Sequence, residues 1–137
     1  PKTSFSIPRR LSLGYDLNRL FILIAVIEKV LGKSFSDRDV YVNVTGGIKV
    51  NEPAIDLAVA ASVLSSYKDK AIGKDIALFG EIGLTGEIRK SIHMEIRLKE
   101  CERLGIKKIF CSRGVEAIKG VEILPLKNVS KLYEYIT

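Results

Sequence analysis

The chain is 137 residues long, 47% hydrophobic and 28% charged, with 22 Lys and Arg against 16 Asp and Glu for a net charge of +6. That length and apolar content suit one domain with its own core, spanning residues 1–137. Several classes are excluded: Cys101 and Cys111 form no disulfide framework, the lone His93 builds no zinc site, and the apolar run Leu20 to Ile27 is too short for a bilayer.

The basic excess permits a polyanionic partner, although plain solubility explains a modest net charge equally well. No secretory signal is recognisable, so the expected location is the cytoplasm, with both thiols reduced and buried. Asn43 and Asn128 head glycosylation sequons, which carry no meaning without secretion. The chain opens on Pro1, so it is expected to be a fragment or a processed product.

Residues 1–14 read as a loop or irregular edge, punctuated by Pro1, Ser4, Ser6, Pro8 and Gly14. A helix follows over 15–31, with Leu17, Leu20, Phe21, Ile24, Ile27 and Leu31 at helical spacing and Gly32 as its stop. Val40–Val44 alternates and is β-branched, hence a strand. Gly46-Gly47 breaks it, and Pro53 opens a second, alanine-rich helix that runs to about Tyr67. Ile76–Phe79 is a short strand, and a hairpin-like turn is expected near Thr85-Gly86. A third helix spans Ile92–Leu104, with Met94, Leu98, Cys101 and Leu104 inward and Gly105 ending it. Strands at Lys108–Cys111 and Val121–Leu124 and a closing helix at Val129–Ile136 complete an α/β (α+β) pattern, a sheet covered by helices.

Two segments carry the functional reading. Asn51-Glu52-Pro53-Ala54-Ile55-Asp56 follows the Gly-Gly loop, and Gly80-Glu81-Ile82-Gly83-Leu84-Thr85-Gly86-Glu87-Ile88 follows the next strand. Together they resemble the proteolytic domain of the Lon peptidases, where a D-G-P-S-A-G segment supplies a nucleophilic Ser. In that frame Ala54 stands at the nucleophile and Glu95 at its Lys partner. Pro8-Arg9-Arg10, Gly14-Tyr15-Asp16-Leu17-Asn18-Arg19-Leu20, Ala25-Val26-Ile27-Glu28-Lys29 and Asp39–Val44 narrow the match. They are similar to the C-terminal Lon protease-like domain of the bacterial RadA (Sms) DNA repair family. The resemblance is close over residues 1 to about 111 and looser beyond.

The resemblance implies a Lon-like sheet of the ribosomal protein S5 domain 2 type, trimmed of its first strand. It implies a DNA-dependent ATPase of branch migration in the longer protein, assembled as a hexameric ring. ATP, magnesium and zinc are implied only for parts outside this chain, and no cofactor or metal is expected within it. The expected partners are DNA, bound without sequence preference, and further copies of the chain; no membrane partner is expected.

Each candidate also has a plainer reading. A Ser–Lys dyad needs a hydroxyl beside a Lys of depressed pKa, and the methyl of Ala54 cannot attack a carbonyl. The expectation is therefore a degenerate peptidase site. Glu52, Asp56 and Glu95 could form a vestigial carboxylate pocket, but helix-start charges and a solvated helix face account for them. Leu31-Gly32-Lys33-Ser34 imitates the end of a P-loop but lacks its upstream Gly and follows a helix. Arg9, Arg10, Arg19, Arg89, Lys90 and Arg97 are the candidate DNA contacts, through phosphate rather than bases. The plainer alternative pairs them with surface acids or neighbouring subunits. With 5 Tyr, 5 Phe and no Trp, base stacking is not expected to dominate.

Overall fold

Asp16 and Gly32 set the ends of the first helix. In the computed structural model, which describes residues 1–44 and 52–136, α1 spans Leu17–Leu31. The Asp16 carboxylate accepts from the Arg19 N–H at 3.0 Å, and Gly32 closes the helix at φ +62°. The P-loop-like stretch is thus a helix C-terminus. Leu20, Leu23, Ile24, Val26 and Ile27 are buried along one side.

The chain divides into two compact units, Pro1–Glu52 and Pro53–Thr137. In the first, strand β1 (Arg10–Leu13) pairs in parallel with β2 (Val40–Asn43), Arg10 beside Val40 and Leu13 beside Asn43. Parallel strands need a crossover, and α1 supplies it, packing on β1. The Arg10 guanidinium braces the return loop by donating to the carbonyls of Arg38 and Phe35, the latter at 2.9 Å. Glu28 accepts from the Phe35 N–H at 3.1 Å, and Phe35 itself is buried. Buried Asp39 accepts from the Arg9 N–H at 2.7 Å. That backbone bond holds its carboxyl below the usual aspartate range against the opposing effect of burial, with help from Thr3 and the Arg9 charge.

The expectation of a loop or irregular edge over residues 1–14 gives way to regular structure at Arg10–Leu13. Arg10–Leu13 is a strand, and Lys2 also forms an antiparallel bridge with Arg38. The proline and serine signals mark the approach to the strand, not its interior. Its apolar residues point outward, Leu11 being 49% and Leu13 57% exposed, so no inward apolar alternation announces it. The singled-out Gly46–Lys49 loop and Asn51 lie outside the described residues.

In the second unit, Pro53–Ile55 forms a 3-10 turn that runs into α2 (Asp56–Lys68). Strands β3 (Ile76–Leu78), β6 (Lys108–Ser112) and β7 (Glu122–Leu126) make a parallel sheet in the order β3-β6-β7. Between them, β4 (Glu81–Ile82) and β5 (Ile88–Arg89) form the antiparallel hairpin expected near Thr85-Gly86, with Gly86 at φ +84°. Helix α3 (Met94–Arg103) precedes β6, and α4 (Val129–Tyr135) closes the chain. Strand β7 runs on through Pro125, beyond the expected end at Leu124. An edge position accommodates a proline because no ladder donor is needed on its free side.

The core of this unit gathers Met94, Leu98 and Cys101 of α3 with Ile109 and Cys111 of β6 and Val121. Both thiols are buried, and burial pushes Cys111 up to about 11 and Cys101 upward as well. Two reciprocal backbone bonds join the start of α2 to the end of β3: Leu57 N–H to Gly80 O at 3.0 Å, and Gly80 N–H to Ala54 O at 2.9 Å. At the opposite end, the Lys68 ammonium donates to the carbonyls of Tyr133, at 2.9 Å, and Ile136, tying α2 to α4.

A Cβ on Gly80 would lie 2.7 Å from Ile88 Cγ2, so that branched side chain would have to shift to admit it. Gly80→Ala is expected to destabilise the second unit by about 1–3 kcal/mol through overpacking, read as a lower urea midpoint. For Asp39, a lowered folded pKa means its stabilisation is present above the ordinary aspartate pKa and lost as pH falls through the folded value. Asp39→Asn is therefore expected to lower stability at pH 7 and to flatten the acid-side decline. Parallel stability–pH curves for the two proteins would contradict this.

Candidate nucleic-acid interface

Ala54 lies in the 3-10 turn ahead of α2 and is buried, only 3% exposed, with its carbonyl engaged by Gly80. Glu95 sits in the first turn of α3 and is exposed. Neither a hydroxyl nor an ammonium stands at the paired positions. Ser62, Ser65 and Ser66 lie further along α2, and the Ser65 hydroxyl is occupied by the Lys70 carbonyl.

The three carboxylates separate by role. Asp56 is 2% exposed, and its Oδ2 accepts from the Ile82 N–H at 3.1 Å. It fastens β4 to the start of α2, a task that its place in the first helical turn does not reveal. Glu52 falls at the end of the other unit, and Glu95 remains on the exposed face of α3. Among the described residues, no group of His, Cys, Asp and Glu is arranged to hold a metal ion.

The candidate basic residues differ in how much of their hydrogen-bonding capacity is spent. Arg9 is exposed and stacks its guanidinium over the Phe5 ring at 3.8 Å. Arg10 uses its Nη1 and Nη2 groups on the carbonyls of Arg9, Arg38 and Phe35, which leaves part of its five-donor fork uncommitted. Arg19 is half-buried in the first turn of α1. These three belong to the first unit.

The other three belong to the second. Arg89 is exposed on β5, 3.6 Å from the Glu87 carboxylate and opposite Glu81 in register. Lys90 follows it, exposed and without an ion pair among the described residues. Arg97 is half-buried on α3: its Nε donates to the Ile92 carbonyl at 3.0 Å, and its guanidinium lies over Phe79. Burial raises the Glu87 carboxyl, but the Thr85 hydroxyl and N–H and the Arg89 charge together hold it below the usual range. The hairpin acid is therefore an occupied anion. Arg113 and Lys127, which follow β6 and β7, are also exposed. Nothing in the one-dimensional pattern marks them, since each stands alone in its segment.

The comparisons with known proteins agree with this architecture. The family profile described as "ChlI: Subunit ChlI of Mg-chelatase" matches residues 21–114. The chain is 44% identical over 133 residues to a DNA repair protein RadA of Aquifex aeolicus, covering 96% of this chain and 30% of the relative. Identity to the RadA of Synechocystis is 43% over 93% of this chain, and to that of Bacillus subtilis 41% over 94%. The chain spans about 30% or less of the length of these relatives. An α/β fold, a profile match across most of the chain and this identity lead to one assignment: the chain belongs to the ChlI family, as a homologue of one segment of the RadA DNA repair proteins.

Proposed function

We propose that the chain is a non-catalytic scaffold and DNA-binding domain of a RadA-type DNA repair and recombination ATPase. The observation that carries the non-catalytic part is Ala54, a buried methyl where the Lon-like frame needs a nucleophile. Glu95 could accept a proton, but the methyl at Ala54 gives it no hydroxyl to activate. The net charge of +6 and the exposed cations of the second unit support binding to a phosphate backbone. ATP, magnesium and zinc belong to the remainder of the longer relatives in this reading, as does motor activity on branched DNA.

A second reading is a pure assembly module within a hexameric ring. Two observations favour it in the first unit. Leu11, Leu13 and Tyr41 share one face of the two-stranded sheet at 49%, 57% and 51% exposure. The Arg10 guanidinium there is largely turned to the protein's own carbonyls. A closed ring uses heterologous interfaces of this kind.

Purified chain incubated with an unfolded protein substrate is expected to release no fragments. Cleavage that survives purification and disappears on substituting Ser62, Ser65 or Ser66 would contradict that. DNA binding is expected to be sequence-independent, micromolar or weaker, and steeply salt-dependent, with a log–log slope of roughly 0.7–0.9 per phosphate neutralised. Fluorescence anisotropy on unrelated single- and double-stranded oligonucleotides across a salt series measures it. Failure to bind either at low salt, with assembly intact by mass measurement, selects the assembly-only reading. A strict monomer at all concentrations removes the ring.

A further inference from the structure

Three adjacent backbone segments meet at the carboxyl edge of the second unit's sheet. Register places Ser112 beside Leu126, so the next residues, Arg113 and Lys127, leave the sheet as neighbours. On the other side of Lys127 runs the hairpin: the Ile88 N–H donates to the Lys127 carbonyl at 3.0 Å, and Glu87 bridges Asn128. Lys90 follows directly from that strand. Arg113, Lys127 and Lys90 are all exposed, and none has an ion pair among the described residues.

From this juxtaposition we infer that Arg113 and Lys127 form the centre of one phosphate-backbone contact surface, with Lys90, carried back along the antiparallel hairpin strand, on its flank. The inference rests on the DNA-binding reading above and locates it. Neighbouring strands lie about 4.8 Å apart, so the three segments span roughly 10 Å. One DNA strand carries a charge about every 3.4 Å along the axis, so that span matches about three phosphates. The acids nearby leave these cations available. Glu87 is taken up by Thr85 and Arg89, and Glu81 stands opposite Arg89 across the hairpin. Glu116 is further along the exposed loop beyond Gly114. At the opposite, amino edge, Lys74, Lys107, Lys108 and Lys119 are interleaved with Asp75 and Glu122 around the starts of β3, β6 and β7. The two edges therefore make a matched pair for comparison.

The test compares Arg113→Gln/Lys127→Gln with Lys74→Gln/Lys107→Gln and the unsubstituted chain, by anisotropy on one oligonucleotide across a salt series. The carboxyl-edge pair is expected to weaken binding by about tenfold or more at low salt and to flatten the slope by roughly 1.4–1.8. The amino-edge pair is expected to change affinity by less than about twofold. Wild-type affinity in the carboxyl-edge variant, or an equal loss at the amino edge, overturns the surface while leaving DNA binding standing. No binding by the unsubstituted chain overturns both. A labelling measurement on the unsubstituted chain avoids dependence on variant folding. Bound DNA is expected to protect Lys127 Nζ from acetylation while Lys74 stays reactive, and equal labelling of the two also overturns the surface.

Discussion

The pair of backbone bonds between Leu57, Gly80 and Ala54 is the constraint on which the second unit depends. They join the first turn of α2 to the end of β3, and the bare Cα of residue 80 leaves room for Ile88 of the hairpin beside them. Buried Asp56 adds a third connection by reaching Ile82. The hairpin thus leaves the sheet in a fixed direction, and its second strand comes to lie along Lys127 and Asn128. Ala54 has a structural duty here that is separate from the chemistry of its side chain. Its carbonyl receives the Gly80 N–H, a bond that any residue at 54 could make. The side chain at position 54 can therefore vary without loss of that bond.

The first unit solves a different problem. A two-stranded sheet is marginal by itself and needs a helix against it and a firm connection. Glu28 from the helix and Arg10 from the strand both reach the Phe35 backbone, while Asp39 receives the Arg9 N–H. Charged side chains do here what apolar burial cannot do in so short an element. They satisfy loop carbonyls and N–H groups that would otherwise be left without partners. The same chemistry explains why a basic residue next to a proline is ambiguous in the sequence: a guanidinium suits a carbonyl cluster as well as a phosphate.

What the sequence made legible was whatever is encoded within a few residues. The four helices could be placed from spacing, Gly32, Pro53 and Gly105, because stop signals and periodicity are local. The hairpin was legible from its glycines. The strand at Arg10–Leu13 was not, since its outward leucines imitate a loop and its partner lies beyond a whole helix. The role of Asp56 was hidden for the same reason: a first-turn carboxylate looks alike whether it faces solvent or Ile82. At the candidate interface, consecutive Arg89 and Lys90 drew notice. Arg113 and Lys127, solitary in their segments, become neighbours only through the pairing of β6 with β7. Charge clusters built by register are invisible until the register is known.

Pro125 has a consequence for how the sheet meets other molecules. The Glu122 N–H points inward to Lys107, and successive residues of a strand turn their amides to opposite sides. Position 125 therefore faces away from β6, where its ring offers no donor. An incoming extended peptide would find the middle of that margin unable to answer it, and the stretch just beyond already taken by the hairpin. Growth of the sheet by strand addition past β7 is disfavoured, which leaves side-chain surfaces and other margins as the better routes to larger assemblies of this chain.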